Sequence, residues 1–249
     1  MTWVESHSLS FTARHEDAQA GQAARVLDTL ESFREDLGGL FERTPYDIAV
    51  VIHPRPLMLA LAQPWLPLAR MVAAPASRRY FGGWFTSREI HVLAPSLLAA
   101  RASAVEGSRE ALLLTPQHEY AHLVVGANNP DLPPPFTPGS FRRYVRWAWL
   151  CEGAATYFSG QTSHLRAAIV RRLYEGGRPE LPPSARDAQL LGGTVFSMLE
   201  RHDGAEAAVA LARTCDSEGP RRALETAFGR SLPAIARDWR DYLDSLRAG

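Results

Sequence analysis

The chain contains no lysine: all 27 of its basic residues are arginine, and 27 acidic residues bring the formal net charge to zero. A chain without net positive charge gives no electrostatic reason to expect a nucleic acid or an anionic membrane surface as its partner. Cysteine is scarce as well. The sequence has two, Cys151 and Cys215, which is too few for a disulfide framework or a thiolate-bound zinc cluster. One disulfide between them is the alternative to the two reduced, buried thiols that we expect.

Long hydrophobic runs are missing too. The most apolar segment, residues 56–75, is interrupted by a glutamine, two prolines and an arginine, which excludes it as a membrane span. Residues 1–18 have neither the basic region nor the apolar region of a signal peptide. As written, the sequence therefore predicts a cytoplasmic protein, or a secreted one if a leader has been removed.

The residues that are present have the composition of a globular protein, with 46% apolar and 22% charged side chains, so the chain can bury a core. Strand and helix patterns alternate in its first half, and helical patterns fill the second half. Strands are predicted at 9–15, 46–53, 79–86 and 88–94, and helices at 20–41 and 95–105, with a short helix plus loop in 56–75. We predict one domain of the α+β class. Its mixed α/β lobe with a small sheet covers 1–127, and its helical lobe covers 128–249.

The stretch TPQHEYAHLVVG, at residues 115–126, has the signals of a helix. Thr115 is predicted to cap the helix, and Pro116 suits its first turn, where a missing N–H costs nothing. Gly126 is predicted to end it.

Two histidines on this predicted helix, His118 and His122, flank Glu119 in the spacing HExxH. Residues four apart lie on one helix face with Cβ atoms about 5–6 Å apart, so the two imidazoles could converge on one zinc ion. Glu119 would then be able to accept a proton from a metal-bound water. The alternative interpretation is a helix that carries two surface histidines and no metal.

A third ligand decides between these interpretations. The extended motif HExxHxxGxxH is absent, because Val125 and Asn128 stand where it needs Gly and His. Asp131 could serve as the ligand, but its Pro-rich surroundings are typical of a turn. The stronger candidate is Glu152, which follows the second histidine after 29 intervening residues, enough for a loop and an antiparallel helix. Small residues at 153–155 would let the two helices approach closely, and a buried glutamate needs a partner.

The residues around Glu152 form the pattern W-L-x-E-G-x-A-x-Y, through Trp149, Leu150, Glu152, Gly153, Ala155 and Tyr157. HExxH followed by this pattern resembles the gluzincin metallopeptidases, which include thermolysin and the aminopeptidases. It is most similar to the peptidase MA-like domains, which are small bacterial proteins. Segments 190–213 and 223–243 resemble the C-terminal helices of that group, so the similarity extends over most of the chain.

The resemblance implies a thermolysin-like architecture with a zinc site between the two lobes. It implies one Zn²⁺ per chain, bound by His118, His122 and Glu152, and it makes Glu119 the general base for a zinc-activated water. The implied activity is hydrolysis of peptide bonds in peptides or unfolded protein. Gluzincins hold an extended peptide against an edge strand, which here would lie in 79–93. Gly82 and Gly83 would allow close backbone approach there, although a hairpin with two flexible glycines is an equally good interpretation.

One position departs from the family pattern. Gln189 stands where an MA-like domain has a tyrosine that would stabilise the oxyanion of the reaction. Candidates to replace that tyrosine are His164, Tyr174, Tyr157 and His202. The departure keeps a second hypothesis open, a catalytically silent zinc-binding protein of the same fold that binds a peptide or a partner. The glutamate at position 119, which such a binding module does not need, favours the peptidase.

Overall fold

The computed structural model describes residues 2–62 and 82–248. Helix accounts for 61% of the structure and strand for 11%, all of it in one small sheet, so the chain is a mixed fold in which helices dominate. This agrees with the predicted α+β class. Within the described residues, no helix is both long enough and apolar enough to cross a membrane.

One sheet contains the five strands of the described residues. They are β1 (Trp3–His7), β2 (Phe11–Glu16), β3 (Ile48–His53), β4 (Gly83–Phe85) and β5 (Glu89–Leu93). Their order is β1-β2-β3-β5-β4, with β2, β3 and β5 parallel and each edge strand antiparallel to its neighbour. Strand β1 was not predicted from the sequence. Its residues alternate only between exposed and half-buried, so it has no fully apolar face to give a strand pattern.

Helices form most of the remaining described structure. They are α1 (Ala20–Gly38), α2 (Pro56–Ala62), α3 (Pro95–Ala100), α4 (Ser108–Leu113), α5 (Thr115–Asn128), α6 (Pro138–Arg146), α7 (Ala148–Phe158), α8 (Arg166–Glu175), α9 (Ala188–Asp203), α10 (Ala205–Ala212), α11 (Pro220–Phe228) and α12 (Leu232–Ala248). The predicted strands and helices of the first half are confirmed in type, with shorter bounds. Residues 63–75 and 79–81, which belong to two of the predicted segments, lie outside the described residues.

Helix α5 joins the sheet to the helical half of the fold. It packs against α1, β4 and β5 and also against α7. Its side chains Tyr120, Ala121 and Val124 are completely buried, and the ring of Tyr120 meets that of Phe11 edge-on at 5.2 Å. All residues from Thr115 to Val125 are buried, so the polar side chains on this helix need specific partners.

Both predicted boundary signals of helix α5 are wrong. Thr115 is the first residue inside the helix rather than its cap, and its hydroxyl donates a hydrogen bond to the carbonyl of Leu112 at 2.6 Å. Gly126 does not end the helix, which continues to Asn128. A side chain at Gly126 would bring a Cβ within 2.5 Å of the Pro133 carbonyl oxygen, so this glycine is there for close packing. Pro116 does lie in the first turn, as predicted.

Helices α7 and α9 cross in backbone contact. A Cβ at Gly153 would lie 2.6 Å from the backbone of Gly192, and a Cβ at Gly192 would lie 2.6 Å from the carbonyl oxygen of Trp149. The small residues after Glu152 were expected to bring α7 close to α5. Instead, Gly153 serves the approach of α7 to α9.

Candidate metal centre

Two helices bring the three predicted metal ligands together. Helix α5 presents His118 and His122 one turn apart, and helix α7 presents Glu152 opposite them. The three side chains are 4%, 5% and 7% exposed. The Nε2 atoms of the two histidines are 3.2 Å apart, and the carboxylate oxygens of Glu152 lie 3.6 Å from His118 Nε2 and 3.8 Å from His122 Nε2.

These distances fit a shared ion. Two ligand atoms of a tetrahedral zinc ion, each bound at about 2.0–2.1 Å, lie about 3.3 Å apart. Each of the three residues offers one ligand atom, and all three atoms lie within 4.8 Å of one another. The group could therefore hold a metal ion with three protein ligands. Among the residues that the structure describes, this is the one such group, and Asp131 is not part of it.

The side chain of Glu119 extends from helix α5 toward the edge strand β4. It is 7% exposed, and a Cβ placed on Gly83 would come within 2.9 Å of its Cγ atom and within 2.9 Å of Thr115 Cγ2. A Cβ on Gly82 would meet Leu98 Cδ2 at 2.7 Å. Both glycines are thus needed for β4 to pack this closely on its neighbours, so neither is merely a flexible hairpin residue.

A row of aromatic rings, which we call the aromatic wall, connects two of the candidate ligands. The ring of Phe85 stacks on His122 at 4.5 Å, and Phe136 follows at 5.2 Å from Phe85. Tyr144 comes next, 6.1 Å from Phe136, and its hydroxyl donates a short hydrogen bond to Oε1 of Glu152. The wall thus runs from the histidine ligand on α5 to the glutamate ligand on α7.

A cleft of about 470 Å³ opens beside the centre. His118 and Glu119 are part of its lining, together with Gly82 and Gly83, whereas no residue of the aromatic wall lines it. Its other lining residues are both apolar and charged, among them Leu112, Leu165, Leu190, Arg171, Glu175 and Arg186. The centre is therefore reached from the side of His118 and Glu119.

Only one of the four proposed replacements for the missing tyrosine lines this cleft. His164 does so from the 3-10 turn Gln161–His164, as does Gln189 itself. Tyr157 stacks on Phe196 in the helical half instead. Tyr174 and His202 are exposed and do not line the cleft.

Tyr144 is the site residue that sequence reasoning missed. It lies eight residues before Glu152, in a separate helix, and Trp147 caps the junction between the two helices. No helical spacing connects residues across such a junction, and the family pattern begins only at Trp149. The contact between Tyr144 and Glu152 is a result of the tertiary fold alone.

A second pair of buried histidines lies apart from the metal-ligand group. His53 Nε2 and His91 Nδ1 are hydrogen-bonded at 2.9 Å, and the ring of His91 stacks on Trp84 at 3.7 Å. Burial, together with the neighbouring His91, lowers the pKa of His53 to about 4. Burial also lowers the pKa of His91. Both imidazoles are therefore neutral near pH 7.

Comparison of the chain with protein-family models, with curated proteins and with solved structures finds no match. The class of protein thus follows from the fold and the site themselves: a mixed α/β protein with a buried His-His-Glu group that could hold a metal ion.

Proposed function

We propose that the protein is a zinc-dependent metallopeptidase of the gluzincin type, similar to the peptidase MA-like domains. One observation carries the proposal: His118, His122 and Glu152 converge at metal-site distances while Glu119, beside the first histidine, lines the adjacent cleft. A thermolysin-like architecture is part of the proposal, since the centre lies where the sheet-bearing half meets the helical half.

The donor set favours zinc. Two imidazoles and one carboxylate suit a borderline-soft divalent ion, whereas calcium and magnesium take oxygen ligands. Catalytic zinc sites have three protein ligands and keep a fourth position open, and the His-His-Glu set leaves that position. Neither cysteine belongs to the group of possible ligands, and burial raises the pKa of the Cys151 thiol well above its usual range.

Each group at the centre would have its own role in peptide hydrolysis. Zinc, when bound, would polarise the scissile carbonyl and lower the pKa of water toward about 7. The Glu119 carboxylate accepts the proton of the attacking water and returns it to the leaving amine. His164 lines the same cleft, which supports it as the proposed donor of a hydrogen bond to the oxyanion in place of the tyrosine that Gln189 replaces.

The outer edge of β4 supplies a place for the substrate backbone. Leu93 N–H donates to the Gly82 carbonyl at 2.8 Å, and Thr86 N–H donates to the Glu89 carbonyl at 2.8 Å. Because hydrogen bonding alternates along an antiparallel pair, Trp84 also faces β5, and Gly83 and Phe85 direct their backbone groups outward. A peptide could pair with these groups beside Glu119, which supports the assignment of Gly83 to substrate binding. The Gly82 carbonyl is already bonded to Leu93, so Gly82 would contribute only a close approach of the backbone.

The second candidate function is a catalytically silent binding module that keeps the metal and the cleft. Gln189 favours it, because this residue lines the cleft where the family has a tyrosine. A binding module would retain a peptide at the β4 edge without hydrolysing it.

The experiment compares the cleavage of a broad library of peptides by the native protein and by Glu119→Gln. Zinc is measured in every protein tested. Glu175→Gln is a matched control, since it makes the same change elsewhere in the cleft lining. We expect one zinc per chain in all three proteins and a loss of cleavage of at least about 100-fold in Glu119→Gln alone. Cleavage that is unaffected by this variant contradicts the role of Glu119. Zinc and peptide binding without any cleavage would indicate the binding module.

A further inference from the structure

The hydrogen bond from Tyr144 to Glu152 connects two helices at the metal centre. Tyr144 belongs to α6 and is half-buried, and its ring is held by Phe136 within the aromatic wall. Glu152 belongs to α7 and is 7% exposed. A phenol that donates to a buried carboxylate makes a charge-assisted hydrogen bond, which fixes the orientation of the acceptor group.

The two oxygens of Glu152 have different surroundings. Oε1 accepts the hydrogen bond from Tyr144 and lies 3.8 Å from His122 Nε2, while Oε2 lies 3.6 Å from His118 Nε2. A carboxylate can bind a metal through one oxygen or through both. The hydroxyl of Tyr144 engages Oε1, so Oε2 is the oxygen better placed to bind an ion between the two histidines.

We propose that Tyr144 is a positioning residue that makes Glu152 bind the metal through Oε2 alone. Binding through one oxygen keeps the fourth coordination position open for water or substrate, whereas binding through both would occupy it. Groups that hydrogen-bond to metal ligands orient those ligands and contribute to metal affinity. The inference rests on the metal centre of the proposed function and does not depend on peptidase activity.

The placement of Tyr144 separates this role from a catalytic one. The cleft reaches His118 and Glu119, and Tyr144 does not line it. A substrate in the cleft would therefore meet His164 and the β4 edge, while Tyr144 stays on the side of the aromatic wall. Tyr144 would therefore influence the metal site through its hydrogen bond to Glu152.

The test is the variant Tyr144→Phe, which keeps the ring in the aromatic wall and removes only the hydroxyl. Zinc affinity is measured by competition with a chromophoric chelator, and visible absorption is recorded after loading with Co²⁺. We expect zinc to bind about 10–100-fold more weakly. We also expect weaker cobalt bands, because the released Oε1 raises the coordination number of the ion. Tyr157→Phe is the control, since it removes a hydroxyl from the same helix as Glu152 without touching the centre, and it should change neither quantity.

Zinc affinity and a cobalt spectrum that stay native in Tyr144→Phe would overturn the inference and leave the metal centre intact. The inference is also overturned if the metal-free variant merely unfolds at a lower temperature, with the affinity and spectrum of its metal site unchanged. If the native protein binds neither zinc nor cobalt, the metal centre itself is wrong and the inference falls with it.

Discussion

At the scale of single residues, the centre depends on nitrogen atoms that face each other. Nε2 of His118 and Nε2 of His122 are 3.2 Å apart, and both lie near the carboxylate of Glu152 in a buried site. Burying these polar groups is unfavourable unless a partner compensates for the lost water. A divalent cation would accept a lone pair from each nitrogen and would balance the charge of the carboxylate. The group could therefore hold a metal ion.

The role of His164 can be tested by a change of one side chain. Replacing it in the variant His164→Ala should lower kcat by about 100–1000-fold, the effect of losing one donor to an oxyanion. Zinc content should not change, because His164 does not belong to the ligand group. His202→Ala is the matched control, since His202 is exposed and does not line the cleft. Equal kcat values for the two variants would remove His164 from the mechanism.

The lowered pKa of His53 predicts how the free energy of unfolding depends on pH. Its pKa is about 4 in the folded protein, whereas an unperturbed imidazole has a pKa of about 6.5. Between these values the unfolded chain binds a proton that the folded chain does not, so the free energy of unfolding rises with pH. The contribution of His53 is complete above about pH 6.5, and about 3 kcal/mol of it is lost as the pH falls to about 4.

The measurement is denaturant unfolding of the metal-free native protein and of His53→Gln across that pH range. Glutamine can keep a hydrogen bond to His91 but cannot titrate. The native protein should lose stability more steeply than the variant as the pH falls. The same pH dependence in both proteins would show that His53 is not held neutral by burial.

At the scale of elements, the position of Glu152 is set by helix packing. Helix α7 lies between α5, which carries the histidines, and α9, which supports it from the other side. The crossing of α7 and α9 has no space for a side chain, since a Cβ at Gly192 would also lie 2.7 Å from Gly153 Cα. Backbone-to-backbone packing of this kind holds α7 rigidly against the rest of the helical half.

Gly192→Ala tests that packing. The added methyl group would force α7 and α9 apart, and we expect the free energy of unfolding to fall by about 1–3 kcal/mol. Zinc should bind more weakly as well, because Glu152 moves with α7. Gly38→Ala is the matched control: a Cβ at Gly38 meets no atom within 4 Å, so this variant should be as stable as the native protein or slightly more stable. A Gly192→Ala protein of native stability would contradict the tight crossing.

At the scale of the whole molecule, the sequence predicted the fold class and the three residues that converge. It did not predict which other residues contact those three. Apolar patterns identified the parallel strands, and local start and stop signals in residues 115–126 indicated helix α5. Glu152 could be proposed because a glutamate in an apolar stretch needs a partner. Tyr144 and the edge strand β1 were missed. The contact of Tyr144 exists only after α6 and α7 pack, and β1 takes its place by pairing with β2 rather than by an apolar pattern of its own.

The packing of helix α5 explains why its ends were predicted wrongly from the sequence. Thr115 and Gly126 have the identities of a cap and a stop, yet both are used for packing. Thr115 lies close against Gly82 and Gly83, and Gly126 allows the close approach of Pro133. Tertiary contacts decide such positions when a helix is covered on every side. The same burial makes the polar residues of α5 informative, because a buried polar side chain requires a specific partner.

The metal content of the native protein, measured beside that of Glu152→Gln, tests the His-His-Glu centre most directly. Each protein is purified without chelators, and zinc is quantified per chain, with Glu206→Gln as a control at an exposed position. We predict one zinc per chain in the native protein and in the control, and a large loss in Glu152→Gln, which lacks the third ligand. A native protein without stoichiometric metal even after incubation with zinc, or equal metal in the native protein and Glu152→Gln, would contradict the proposed centre.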